Sequence, residues 1–212
     1  SDFEAVIRTD PALTANLLHM GKSAFFASTH KVSSVRHAVV LLGTKRVFEI
    51  AAAVGFASVL PERLPGYQVS SIDLWRHCIA VAVYAEKLGR RLGLRAPDLI
   101  FTAALLHDIG KLAVGAFLEE AGEDDLVRII EDEGRPLLQV EQALLGIDHT
   151  IVGEALAVKW GLPATVSFAC RWHHNPELAP DGVDRTLVDL VHVADCMAHM
   201  FGLGADVGGL AR

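Results

Sequence analysis

The stretch Ala103-Ala104-Leu105-Leu106-His107-Asp108-Ile109-Gly110-Lys111 sets an imidazole, a carboxylate and an ammonium into an otherwise apolar helical pattern. At 3.6 residues per turn, His107 and Lys111 are four apart and Asp108 and Lys111 three apart. The polar groups therefore converge on one edge while Leu105, Leu106, Ile109 and Leu112 pack inward. A desolvated aspartate is costly unless it is paired or bound to a cation, and adjacent His and Asp supply one nitrogen and one oxygen donor to a single metal. A simpler arrangement fits the stretch too: an Asp108–Lys111 helix salt bridge beside a satisfied core histidine. Taken alone, one dipeptide favours the simpler arrangement.

The rest of the chain reads as helix after helix, with no alternating segment long enough to demand a strand. Asp10-Pro11 starts a helix that ends near Gly21, and Thr29 to Ser34 reads as a turn. Ser34 then caps a helix that stops at Gly43, and Thr44 caps one running through Val47, Ile50 and Val54 to Pro61. The breakers Pro61 and Pro65-Gly66 mark a domain boundary, giving residues 1–66 and 67–212. Ser71 or Asp73 opens a helix on which His77 shares the inward face of Val81 and Tyr84. Gly93 ends it, and Pro97 starts the helix that carries His107. The run Glu119 to Asp125 reads as a solvated acidic turn and helix start, without the spacing of a calcium loop.

Asp148 stands as cap before a helix begun by His149, where Gly153 allows a close approach. The helix from Pro163 to Trp172 delivers His173-His174, whose adjacent imidazoles point about 100 degrees apart on a helix, and Asn175-Pro176 ends it. The last helix, Leu187 to Phe201, places His192, Asp195 and His199 on one face. His19, His30 and His37 read as surface or structural; His192 and His199 read as hydrogen-bond partners of the neighbouring donors or as simply polar positions, His199 as the latter.

In His77, His107-Asp108 and Asp195 the chain resembles the HD superfamily of metal-dependent phosphohydrolases, whose pattern is a His, a His-Asp pair and a distant Asp on separate helices around one metal centre. His149 and His173-His174 resemble the additional ligands of the HD-GYP branch, which hydrolyses cyclic di-GMP. The segments Asp10 to Thr14, Lys22 to Phe26, Val32 to Ser34 and Ala38 to Gly43 resemble the amino-terminal helical half of HDOD, the HD-related output domain, so the resemblance to HDOD covers nearly the whole chain. It departs from the HD-GYP branch after His174, where Asn175 to Asp184 stands in place of the Gly-Tyr-Pro signature.

The resemblance implies an all-α fold of two packed helical subdomains, the second an HD-type bundle. It implies metal ligands at His77, His107, Asp108, His149, His173, His174 and Asp195. A mixed nitrogen and oxygen set suits iron, manganese, zinc or nickel, as one ion or two. In an enzyme, Asp108 would bind metal and steer a water while Lys111 offsets charge on the transferring phosphoryl group of a phosphoester ligand. HDOD proteins are regarded as output domains of bacterial signalling proteins, so the reading is a regulatory module that holds metal and engages a protein partner. Phosphohydrolase activity is the alternative.

Composition narrows the remaining classes. The 212 residues are 51% hydrophobic and 21% charged, enough for a buried core, with a net charge of −7 and no basic run of the kind that binds nucleic acid or an anionic membrane. No apolar run approaches the ~20 residues of a membrane helix, and Ser1-Asp2-Phe3-Glu4 lacks the pattern of a signal peptide, so a cytoplasmic setting is expected. Cys78, Cys170 and Cys196 are single and widely spaced, which fits buried packing and no disulfide framework. Both ends read as cut from a longer protein.

Overall fold

A computed structural model describes residues 35–58, 60–94 and 97–203. The expected helix at Asp10 to Gly21, the turn at Thr29 to Ser34, and His19 and His30 lie outside these residues. The chain divides into two compact units between Val59 and Leu60. In the first, α1 (Val35–Ser58) is helical apart from Gly43, whose φ of 79° and ψ of 156° break it where the sequence places a stop.

The second unit opens with a short antiparallel hairpin, β1 (Arg63–Leu64) and β2 (Val69–Ser70), in which Arg63 pairs with Ser70 and Leu64 with Val69. These strands lie in the stretch read as a domain boundary; four paired residues are too few to carry an alternating pattern. Then follow α2 (Ser71–Arg91), α3 (Pro97–Leu106), α4 (Gly110–Glu133), α5 (Leu137–Leu145), α6 (His149–Lys159), α7 (Ala164–Trp172), a 3-10 turn at Pro176–Leu178, and α8 (Arg185–Met200). The fold is all-α, with this one hairpin among the described residues.

Side-chain caps set several of the starts. The Ser70 hydroxyl accepts from Asp73 N at 3.2 Å to open α2, one residue before the expected cap. Asp148 Oδ1 accepts from Thr150 N and Ile151 N to open α6, and Asp184 Oδ1 accepts from Leu187 N to open α8. Each satisfies amides that have no partner within the helix, worth about 1 kcal/mol apiece.

Two expectations fail here. The acidic run Glu119 to Asp125 lies inside α4 instead of forming a turn that starts a helix: Glu and Ala are strong helix formers, and one glycine among them costs only about 1 kcal/mol. The helix begun at Pro97 does not run through His107. It ends at Leu106, the chain turns through His107, Asp108 and Ile109 with i to i+3 hydrogen bonds, and α4 starts at Gly110.

Helix α2 packs on α3 and α8, α3 on α7, α6 on both α4 and α7, and α5 on α4. Leu74, Cys78 and Val81 of α2, Phe101 and Leu105 of α3, Val166 and Ala169 of α7, and Val188 and Val191 of α8 fill the interior. Truncating Phe101, fully buried, would cost about 3–5 kcal/mol. Many inward positions are alanine, including Ala80, Ala82, Ala103, Ala104, Ala194 and Ala198, which leaves room beside the helices for imidazole and carboxylate groups. Leu99–Ala121 does reach the length and hydropathy of a membrane-crossing helix, contrary to the expectation. It is 67% buried inside the fold, is interrupted by the turn at His107, and carries the Asp108–Lys111 pair, so its apolar character is that of core.

Candidate metal centre

Five parts of the second unit each contribute to one buried cluster. His77 comes from the middle of α2, His107 and Asp108 from the turn between α3 and α4, His149 from the first residue of α6, His173 and His174 from the residues after α7, and Asp195 and His199 from α8. The structure thus brings together all of the donors expected from the sequence, with His174 half-buried and the others buried.

The tautomers of four imidazoles follow from what their Nδ1 atoms touch. His77 Nδ1–H donates to the carbonyl of Leu203 at 2.9 Å, His107 to that of Ala104 at 2.7 Å, and His173 to those of Ala169 and Cys170 at 2.9 and 3.0 Å. A carbonyl only accepts, so these Nδ1 atoms carry the hydrogen. His149 Nδ1–H donates to the Glu141 carboxylate at 2.8 Å. Every one of these rings therefore turns its Nε2 inward, and all four point at Asp108. His77 and His107 lie 3.7 and 3.4 Å from Asp108 Oδ2, and His149 and His173 lie 3.4 and 3.5 Å from Oδ1.

Neutral imidazoles in this tautomer present lone pairs to a carboxylate, which is acceptor facing acceptor among buried side chains. Nε2 of His107, Nε2 of His173 and Oδ1 of Asp108 are buried with no hydrogen bond. Such an arrangement calls for cations. Lys111 supplies one: its Nζ, on a residue 1% exposed, donates to Asp108 Oδ2 at 2.7 Å. The simpler salt bridge read from the sequence is present, and the histidine cluster surrounds it.

Protons supply only part of what remains. Burial opposes charge on His149, yet the Glu141 carboxylate, with its hydrogen bond to the ring, and the nearby Asp108 carboxylate raise its pKa to about 10. Burial likewise opposes charge on His77, and Asp195 overrides it in the raising direction. For His107 burial dominates and lowers the pKa to about 3, so that ring is neutral. Burial would raise the pKa of Asp108, but Lys111 and the surrounding histidines hold it well below the usual carboxylate range.

The donor atoms fall into overlapping sets that could each hold a metal ion: Asp108, His149, His173 and His174; His77, His107 and Asp108; His107, His173 and Asp195; and His77, Asp195 and His199. Asp108 belongs to both of the first two and can bridge adjacent positions. The mixed imidazole and carboxylate chemistry, the inward lone pairs and the buried acceptors of His107 and His173 all fit a divalent transition metal. Each inward ring is also held in orientation by its Nδ1–H, which donates to a main-chain carbonyl or, for His149, to Glu141.

His199, read from the sequence as merely polar, is a correction. It is 7% exposed, its Nε2 lies 3.4 Å from Asp195 Oδ1, and its ring centroid is 4.9 Å from that of His77. The four-residue spacing from Asp195 was a usable signal. His192 instead donates through Nδ1 to the main-chain carbonyl of His173 at 2.7 Å and fixes the chain beyond α7. Glu141, which orients His149, has no sequence signal, since an isolated glutamate in an amphipathic helix carries no local mark of burial. The Cys170 thiol donates to the carbonyl of Leu106 at 3.2 Å, and burial raises its pKa, so it is a packed thiol. Of the acidic residues after His174, Glu177 and Asp181 are exposed and Asp184 is the cap of α8.

A family model for the HDOD domain matches residues 1–176, which include the donors from His77 to His174 and stop short of Asp195 and His199. An uncharacterized protein of Treponema pallidum (strain Nichols) is 27% identical over 187 residues, or 85% of this chain; the chain spans about a third of that relative's length, 34%. An HDOD domain protein of unknown function from Geobacter sulfurreducens is 26% identical with a TM-score of 0.85, covering 97% of this chain and 67% of that one. A candidate signal transduction protein from Marinobacter aquaeolei VT8 is 26% identical with a TM-score of 0.77, covering 98% of this chain and 46% of that one.

Proposed function

The chain belongs to the HDOD domain family, and on that premise we propose that it is a regulatory module of a signalling protein, built around a resident divalent transition metal and acting through a protein partner. The observation that carries this reading is the convergence of four inward Nε2 atoms on Asp108 within a buried cluster. His77, His107 and Asp108, with Asp195 beside His77, would hold one ion, and Asp108, His149, His173 and His174 a second. Ligands drawn from α2, the α3–α4 turn, α6, the end of α7 and α8 make metal affinity a part of folding free energy. The likeness to a candidate signal transduction protein supports the same reading.

Hydrolysis of a phosphoester is the second reading, favoured by one observation. His174, half-buried, opens one side of the cluster toward solvent, and its Nε2 lies 3.1 Å from that of His149. A metal bound there would supply Lewis acidity toward a phosphoryl oxygen. Against it stands Lys111, whose ammonium is 1% exposed and engaged with Asp108, and so is poorly placed to meet a substrate. A metal centre also accelerates phosphoryl transfer only when the scissile group is held in line, and an error of ~1 Å costs about a hundredfold.

Elemental analysis of protein purified without chelator, followed by assay of the metal-loaded protein with cyclic di-GMP and a generic aryl phosphodiester, tests both. The proposed reading expects one to two transition-metal ions per chain and turnover no faster than that of a His107→Ala, Asp108→Ala variant. Protein that binds no metal after anaerobic reconstitution defeats the resident-metal reading. Turnover of cyclic di-GMP abolished in the double variant replaces the regulatory reading with the enzymatic one.

A further inference from the structure

The hairpin that opens the second unit is tied to the histidine cluster by a buried relay. Tyr67, in the turn between β1 and β2, donates its hydroxyl to Glu141 Oε1 at 2.6 Å. Glu141 accepts in turn from His149 Nδ1 at 2.8 Å and from the main-chain N–H of His149 at 2.9 Å. Tyr67, Glu141 and His149 are all fully or almost fully buried. Backbone packing holds the turn as well. A side chain at Gly66 would overlap Leu118 and the carbonyl of Gly115, and one at Gly115 would overlap the carbonyl of Pro65. The hairpin turn therefore lies directly on α4, the helix that begins beside Asp108, while its tyrosine reaches α5 and, through Glu141, the first residue of α6.

We propose that Tyr67 and Glu141 are positioning residues for metal at His149, and that through them the hairpin responds to metal at that position. The proposal rests on the metal-centre reading. Metal at Nε2 takes the place of a proton there and fixes the ring, so the bond from Nδ1–H holds the Glu141 carboxylate where Tyr67 meets it. Partners of this kind orient the ring and raise its basicity, and losing one costs about 10–100-fold in metal affinity. Linkage makes the effect reciprocal: the factor by which a closed relay favours metal is the factor by which metal favours the closed hairpin. The first residues of the second unit would thereby report metal occupancy, which is what a regulatory module with a resident ion requires. If the relay serves only to satisfy a buried glutamate, it predicts none of this coupling.

Calorimetric titration of the chain with manganese(II), and hydrogen exchange of residues 63–70 with and without manganese(II), test it in wild type, Tyr67→Phe, Glu141→Gln and Glu141→Ala. In wild type, metal is expected to slow exchange in the hairpin at least about fivefold. Tyr67→Phe should weaken one manganese position about tenfold and remove the metal-dependent protection of residues 63–70, while the amides around His77 stay protected. Glu141→Gln, whose amide oxygen still accepts from Nδ1–H, should lose less affinity than Glu141→Ala, a graded rescue that loss of packing alone does not give. Tyr67→Phe and Glu141→Gln that bind manganese as wild type does, or a wild-type hairpin indifferent to bound manganese, overturn the proposal and leave the metal centre standing. Wild type that binds no metal ends both. Should Tyr67→Phe fail to fold, the Glu141 pair decides.

Discussion

Gly110 and His149 meet backbone to backbone: a methyl group added at Gly110 would overlap the carbonyl oxygen of His149 and crowd the amide of Gly153. The contact seats the start of α4 on the start of α6 and so brings the His107–Asp108 turn against His149. Neither partner atom belongs to a side chain that can rotate away. Gly110→Ala is therefore expected to destabilise the fold by about 2–3 kcal/mol and to lower Tm by roughly 5–10 °C, read by thermal denaturation. Gly93→Ala, at φ 68° with nothing within 4 Å of an added methyl group, should cost only the backbone strain of about 1 kcal/mol. Equal losses at the two positions would show that the close approach does not matter.

Removing one half of the Asp108–Lys111 pair should be worse than removing both. Asp108→Leu strands a buried ammonium and should cost the metal-free protein about 3–5 kcal/mol, whereas Asp108→Leu with Lys111→Met should recover most of that loss. Urea denaturation of the three proteins measures it. A double variant no more stable than Asp108→Leu would show that Lys111 finds other compensation.

Metal stoichiometry should fall in steps set by which donors are shared. His174→Ala touches only the set of Asp108, His149, His173 and His174, so it is expected to lose one equivalent and keep the other. Asp108→Ala, the donor common to both sets, should lose both. Metal at a hundredfold excess over its Kd stabilises a protein by about 2.7 kcal/mol, so the Tm gain on adding metal should shrink in the same order. Full occupancy in Asp108→Ala, measured by elemental analysis, would remove Asp108 from the centre.

The metal-free protein should be most stable between about pH 6 and 7. The pKa of His149 is raised to about 10 in the folded state, so its contribution is fully present below its unfolded value near 6.5 and is lost as pH rises through 10. Burial lowers the pKa of His107 to about 3, so its contribution is present above 6.5 and is lost as pH falls toward 3. Urea midpoints from pH 5 to 9.5 should trace both limbs, and Glu141→Gln should flatten the alkaline one. An unchanged alkaline limb in that variant would show that Glu141 does not hold the proton on His149.

Much of this protein is legible one segment at a time. The break at Gly43, the Asp148 cap before His149 and the inward face of His77 depend on residues within a turn or two of one another, so chain order alone reveals them. The pairing of Asp108 with Lys111 is equally local. Tertiary structure decided the rest, because the deciding partners are distant in sequence. Asp108 is surrounded by imidazoles from α2, α6 and the end of α7, and that is what turns a helix salt bridge into a cluster of inward lone pairs. The straight helix expected through His107 breaks into a turn where Gly110 crosses His149, a contact no helical periodicity encodes. Glu141 looks ordinary along the chain, and burial against His149 is what gives it its part; His199 shares a helix face with Asp195, and burial is what brings it against His77. Local order determined which donors face inward; packing across the unit determined that they face one another.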